Sequence, residues 1–449
     1  MTGGALSEML VASIAVGLAL AGLLVLGRRP RMVLIVWLAT MCLVPIWMTV
    51  SIGPLTLEPQ SVVALGCLTG LVPLGTKVRD EFTLADSLMV GLVVSGLLGV
   101  VVGAWSLESV FRLLVSWSVA YLLGRLLWRR LDLVVVYRGI AVAFTVVALL
   151  ALVEAATGVN AFIHLPGSTG LRTAWASIQV RGGVSRAEGS FGHSIALGGC
   201  LAMAVPITLA ARLRAWLTIG AVTLMAGATV ATFSRIGMVT LALGLVLTLV
   251  FLPTGLTTRL RVILAGAVAV GAAAVLPFVA GVFGAAGEEA TASAAYRGDL
   301  ISLFGTAQWI GLASSSYRSP NGEVYFGTFR SIDNALLLLA LNSGLLALLC
   351  VVLALGLAAG AVFSRRATAP TIALVAQIPA FATVALITQF GTWVWFLAGL
   401  AVASQVAAAA PRRSTPPAVP APSGGSGPLP VGSPAPAAEG LLTDSVRGH

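Results

Sequence analysis

Residues 181–214 read RGGVSRAEGSFGHSIALGGCLAMAVPITLAARLR. A polar loop with arginines leads into an apolar run, 191–211, and the run closes on a basic RLR triplet. A run of ~20 apolar residues is long enough to cross the hydrocarbon of a bilayer as a helix. Cytoplasmic connectors collect Lys and Arg, so RLR marks the inner end of this span. Arg181 and Arg186, with Arg172 upstream and Glu188 and His193 beside them, then stand at the outer end, where basic residues are scarce in membrane proteins.

The rest of the chain repeats the pattern. Of its 449 residues 58% are hydrophobic and 9% charged, against roughly 25% charged in soluble domains. With a mean hydropathy of +1.01, this excludes an ordinary soluble globule. Thirteen apolar runs are long enough to be spans: 5–27, 31–50, 59–75, 84–104, 108–127, 133–156, 191–211, 215–233, 236–253, 262–283, 332–363, 370–389 and 392–410. Basic clusters at 27–31, 77–79, 125–130, 212–214, 259–261, 364–366 and 411–413 fall at alternate connectors or at the C-terminal end. They place the N-terminus outside and the C-terminus in the cytoplasm. Arg28, Arg29 and Arg31 follow the first run, the reverse of a cleavable signal, so that run is expected to stay as a span.

The expected architecture is an all-α, polytopic integral membrane protein with 12 or 13 transmembrane helices, the short 59–75 run deciding between the two numbers. N-terminal helices occupy 1–156, central helices 191–283 and C-terminal helices 332–410. Two longer extracytoplasmic loops, 157–190 and 284–331, separate them; loops of that length commonly carry function. The tail, 411–449, is rich in Pro, Gly, Ser and Ala and is expected to be disordered.

Several chemistries are disfavoured by composition. Cys42, Cys67, Cys200 and Cys350 all lie within apolar runs and show no CxxC spacing, so they read as small buried hydrophobes. Three histidines, His164, His193 and His449, are dispersed along the chain, and no metal site is expected. The net charge of +10 comes from arginines spread among the spans, with Lys77 the only lysine. No basic stripe for nucleic acid results.

Eight basic residues remain on the outer side: Arg112, Arg172, Arg181, Arg186, Arg235, Arg297, Arg318 and Arg330. Arg186-Ala-Glu-Gly-Ser-Phe-Gly-His193 opens one span, and Ser234-Arg235 forms a hinge between two others. Arg297 and Asp299 lie in the second loop, and Asp333-Asn334 opens the eleventh span. A cation at the hydrocarbon edge is costly unless it is paired or faces water. Arginine presents a rigid fork of donors matched to phosphate oxygens, so a cluster at the outer leaflet suits a lipid-borne pyrophosphate. Each residue also has a plainer reading. Arg172 and Arg318 read as solvated loop charges or headgroup contacts. Asp333 either accepts a proton from a hydroxyl or caps a helix. Glu108 and Arg112 read as a helical ion pair, and Asn342 as a helix–helix hydrogen bond.

In their order and shared placement these motifs resemble the O-antigen ligase and polysaccharide polymerase superfamily of bacterial membrane proteins. The resemblance rests on Arg186, Gly189 and Phe191 opening a span, on Ser234-Arg235, and on Arg297 followed by Ile310-Gly311-Leu312-Ala313. It ends with Asp333-Asn334 before a Leu-rich run closing on Gly344-Leu345, and covers residues 180–360. It implies an enzyme of the cytoplasmic membrane with its active site facing outward. The donor would be an oligosaccharide on polyprenyl pyrophosphate and the acceptor a glycan hydroxyl, with no cofactor and with other polysaccharide-assembly membrane proteins as further partners. Asp333, Arg235 and Arg186 would be catalytic, and Arg181, Arg297, His193, Glu188, Asn334 and Arg318 would bind substrate. Aspartate stands at 333 where ligases of the family carry histidine, which favours a polymerase over a ligase. The rival reading is a transporter of solutes or of the lipid-linked glycan.

Overall fold

The computed structural model describes residues 29–52, 55–71, 82–104, 107–252, 300–319 and 324–410, with isolated positions between 259 and 281. Expectations for the 5–27 run, Lys77, most of the 262–283 run, Arg297, Asp299 and the tail lie outside the described residues.

Helices dominate. Besides a short helix in the first long loop, Thr169–Trp175, they are α1 (Pro30–Leu43), α2 (Pro59–Leu71), α3 (Leu84–Val101), α4 (Ser109–Leu127), α5 (Leu133–Thr157), α6 (Ser194–Ala210), α7 (Ala215–Ala231) and α8 (Arg235–Phe251). After the second loop come α9 (Ala335–Ser343), α10 (Leu345–Phe363), α11 (Ala369–Phe381) and α12 (Gln389–Ala409). Five of these, α3, α4, α5, α10 and α12, are long and apolar enough to cross a membrane. Strands among the described residues form only three short antiparallel hairpins: Val50–Ile52 with Leu55–Leu57, Val180–Arg181 with Val184–Ser185, and Ser316–Arg318 with Val324–Phe326. A helical membrane protein is what this architecture describes.

Local chemistry sets the helix ends. Thr83 and Asp86 form a reciprocal capping box at the start of α3. Asp132 caps α5, which stops at Gly158 in the left-handed region. Ser234 Oγ accepts from Gly237 N at 3.1 Å to start α8. Within α4 the residues Arg112–Ser118 are π-helical, a local widening often found at functional positions.

Packing follows small residues. Gly124 of α4 lies on the backbone of Phe396, and Gly399 of α12 on the backbone of Tyr121, leaving no room for a Cβ at either. The helices touch backbone to backbone there, as apolar bundles do when small residues line the crossing. Helix α6 is the centre of the bundle and is buried along almost its whole length. Helix α10 is buried at only Ala347, Cys350 and Val362, so most of its surface is outer wall. All four cysteines are free and buried, as expected of small core hydrophobes.

The 332–363 run, expected as one span, is two helices. Gly344 breaks it at φ 91°, and a Cβ there would meet Trp309 O at 2.6 Å and Ile310 Cα at 2.8 Å. The second loop is seated in the break: Leu345 N donates to Gln308 O at 2.9 Å and Ala313 N to Leu341 O at 2.8 Å. Leu312 N donates to Ala104 O at 2.8 Å, which joins the same loop to the end of α3. Asn342 is half-buried and makes no hydrogen bond to another helix among the described residues, contrary to its expected role.

Candidate active site

The 180–193 segment lies on the turn between α7 and α8. Ala187 N donates to Ala231 O at 3.1 Å, Arg186 Nε to Thr232 O at 2.9 Å and Arg181 Nη1 to Phe233 O at 3.3 Å. The last carbonyls of a helix lack intrahelical partners and carry partial negative charge. Two guanidinium groups therefore satisfy the C-terminal end of α7. Phe233 takes φ 47°, a left-handed conformation that turns the chain from α7 into α8. Arg235, the first residue of α8, is exposed one residue past the cap. Two arginines of the loop and a third some 50 residues further along the chain are thus gathered on one turn.

Their environments differ. Arg186 is 7% exposed and also donates Nη1 to Gln179 Oε1 at 3.1 Å. Arg181 is half-buried. Gln179 Oε1 also accepts from Ser194 Oγ at 2.9 Å, and its backbone N–H donates to Glu188 Oε1 at 3.1 Å. Gln179 therefore ties Arg186, Glu188 and the first residue of α6 together.

Glu188 is 1% exposed. Burial raises its pKa to about 7; the Gln179 N–H and Arg186 oppose the rise, while the neighbouring Glu154 adds to it. Glu154, in the last turn of α5, holds the loop in place. Its Oε1 accepts from Asn160 Nδ2 at 3.0 Å and from Glu188 N at 3.1 Å, and its Oε2 from Gly189 N at 2.8 Å. His193 precedes α6 as its cap, with Nδ1 accepting from Ile195 N at 3.1 Å. Burial first, then Arg186, lowers its pKa to about 4, so at neutral pH the ring is uncharged. Its edge meets Trp175, with centroids 6.0 Å apart.

The structure does not bring every expected residue to this turn. Asp333 is exposed, with Ser331 Oγ donating to its Oδ1 at 3.5 Å. The cap of α9 is Asn334, whose Oδ1 accepts from Leu337 N at 2.9 Å; the capping role open to Asp333 belongs to its neighbour. That leaves the Asp333 carboxylate unused by the helix. Arg318 is exposed on the 316–326 hairpin. Among the described residues no hydrogen bond joins Asp333, Asn334 or Arg318 to the arginine turn. Arg172 is exposed and donates Nη2 to Ile163 O at 3.0 Å, a loop contact.

A second group of polar residues was missed in the sequence. Glu58, at the start of α2, takes a hydrogen bond at 3.5 Å from Thr392. Burial raises its pKa, against the pull of Arg112 and of hydrogen bonds from Ser116, Thr392 and Ser61. Arg112 thus acts electrostatically on the acid that precedes α2, while the Glu108 side chain lies outside the described residues. Gln389 Nε2 donates to Val44 O at 3.2 Å and to Ser190 O at 2.9 Å. This polar layer joins α1, α2 and α12 to the Glu188 loop. Apart from Ser61, the partners of Glu58 lie more than 50 residues away, and a single acid beside Pro59 gives no local hint of them.

Among the described residues no group of three or more His, Cys, Asp or Glu could hold a metal ion. No family model matches the chain, and no curated protein does.

Proposed function

We propose that the protein is a membrane glycosyltransferase of the O-antigen ligase and polymerase type. It would move a glycan from a polyprenyl pyrophosphate carrier to a sugar hydroxyl, extending a surface polysaccharide. The observation that carries this reading is the gathering of Arg181, Arg186 and Arg235 on the α7–α8 turn.

Their division of labour follows from burial. Arg186 has Nε and Nη1 committed to protein oxygens and acts as a positioning residue. Arg235, exposed at the start of α8, is the phosphate contact, aided by the partial positive charge of a helix N-terminus. In the reaction, the acceptor oxygen bonds to the anomeric carbon as the bond to the pyrophosphate oxygen breaks. The leaving group carries away the electron pair, and cations beside it stabilise the charge that develops. The hydroxyl proton passes to a carboxylate. Asp333 is exposed and suited to that task, whereas Glu188 is enclosed in the form described.

Two observations favour a second reading, a carrier of lipid-linked glycan. These are the break at Gly344 between α9 and α10 and the buried polar layer around Glu58 and Gln389. Interrupted helices and ionisable groups within a bundle are common in transporters.

Reconstitution separates the two. Purified protein in liposomes receives lipid-linked oligosaccharide without nucleotide sugar, and the glycans are sized. Longer glycans support the transferase; unchanged lengths with substrate reaching the other leaflet support the carrier.

A further inference from the structure

The opposite end of the bundle holds a separate groove, between the start of α3 and the end of α4. It encloses about 260 Å³ and is walled by Met89, Val90 and Val93 on one side and Leu122 and Leu126 on the other. Phe82, 55% exposed, and the polar side chains of Asp86, Arg125 and Arg129 complete its lining. It is remote from the arginine turn. Helix α5 starts just after α4 and ends at the Glu188 loop, and its 25 residues span about 37 Å at the usual helical rise.

The described charged residues at its polar end, Arg125, Arg129 and Arg130 against Asp86 and Asp132, carry a net charge of +1. Asp86 is already matched: its Oδ1 accepts from Arg125 Nε at 3.1 Å and Tyr121 Oη at 2.7 Å, and its Oδ2 from Arg125 Nη2 at 3.3 Å and Thr83 N at 2.9 Å. Arg129, half-buried, and Arg130, exposed, follow one turn later on the same chain, with Asp132 beyond them as the cap of α5. Both walls belong to helices apolar enough to cross a membrane. Val90 and Leu122 are 51% and 42% exposed on the rim.

We propose that this groove holds an acyl chain of an anionic phospholipid whose phosphate is bound by Arg129 and Arg130. Apolar walls take the chain, and the guanidinium fork takes the phosphate oxygens. Basic pockets between spans at the cytoplasmic side are suited to anionic headgroups, and the charge pattern of the sequence assigns this end to the cytoplasm. The site is independent of the transferase reading and would stand if that reading fell.

The test is native mass spectrometry of the full chain in detergent, offered phosphatidylglycerol and phosphatidylcholine with the same acyl chains. Phosphatidylglycerol should be retained about fivefold better, the contribution of roughly one basic residue near an anionic headgroup. Arg129→Ala should lower the preference with phosphatidylcholine retention unchanged, and Arg129→Lys should keep most of it. Val93→Trp, which fills the groove, should lower retention of both lipids. Equal retention of the two lipids by the native chain would overturn the proposal without recourse to any variant. A preference untouched in Arg129→Ala, or retention untouched in Val93→Trp, would overturn it too.

Discussion

Arg186 Nε donates to the carbonyl of Thr232 at 2.9 Å, so an arginine from the first long loop closes the end of a helix 46 residues further on. This one bond separates two roles that the sequence leaves merged. An arginine can hold a substrate phosphate, or it can hold the loop that presents another arginine.

Arg186→Ala removes two hydrogen bonds from a buried cation. Each bond to a charged group contributes about 2 kcal/mol, so the variant should melt clearly below the native protein in a thermal scan. Arg186→Lys should recover only part of the loss, because an ammonium cannot reproduce the planar fork that reaches Thr232 and Gln179. A native-like melting point for Arg186→Ala would show that the α7 end does not need its cap.

Glu188 supplies a pH dependence. Its folded pKa is about 7, above the ordinary 4.5, so the folded state favours the protonated carboxyl. The stability this contributes is fully present below about pH 4.5 and is lost as pH rises through about 7. Glu188→Gln keeps an acceptor for the Gln179 N–H and cannot ionise. Between pH 5 and 8 the melting point of the native chain should decline relative to that of the variant as pH rises, the opposite contribution of His193 being common to both; parallel curves would contradict the assignment.

Gly344→Ala places a Cβ against Trp309 and Ile310 at a φ that disfavours side chains. The cost should exceed the ~1 kcal/mol scale of glycine effects at relaxed positions. The loop at 308–313 should be forced out of the break, and limited proteolysis should cut the 300–330 region faster than in the native chain. An unchanged cleavage rate would mean that the loop does not depend on the break.

At the start of α9, adjacent residues separate structure from chemistry. Asn334→Ala removes the cap and should cost about 1 kcal/mol. Asp333→Asn, at an exposed position, should stay within about 0.5 kcal/mol of the native stability while slowing glycan transfer. The reverse ranking in thermal scans would assign the cap to Asp333.

How far the sequence reaches can be read from these same residues. The long apolar helices were legible because composition marks them: α5 and α12 fall within a few residues of the apolar runs at 133–156 and 392–410. The arginine cluster was legible as a cluster, since charge placement is a one-dimensional signal. What Arg186 bonds to was not, because Thr232 and Gln179 reach it through the fold. The exchange of roles between Asp333 and Asn334 turns on a single residue of register, which cap preferences shared by Asp and Asn do not settle. The Gly344 break hid inside an apolar run, although Ser343-Gly344 is a recognised interruption signal. Glu58 was silent because its hydroxyl partners sit on α2, α4 and α12.

The central claim is that Arg235 serves substrate and Arg186 serves structure. The most direct measurement pairs the liposome glycan assay with thermal unfolding for Arg235→Ala. An exposed side chain should be removable within about 0.5 kcal/mol of stability. Losing a charge that stabilises the departing pyrophosphate should slow chain extension by about 100-fold or more. A variant that melts like the native protein and no longer lengthens glycans is the predicted result. A variant that melts normally and extends glycans at the native rate would contradict the account.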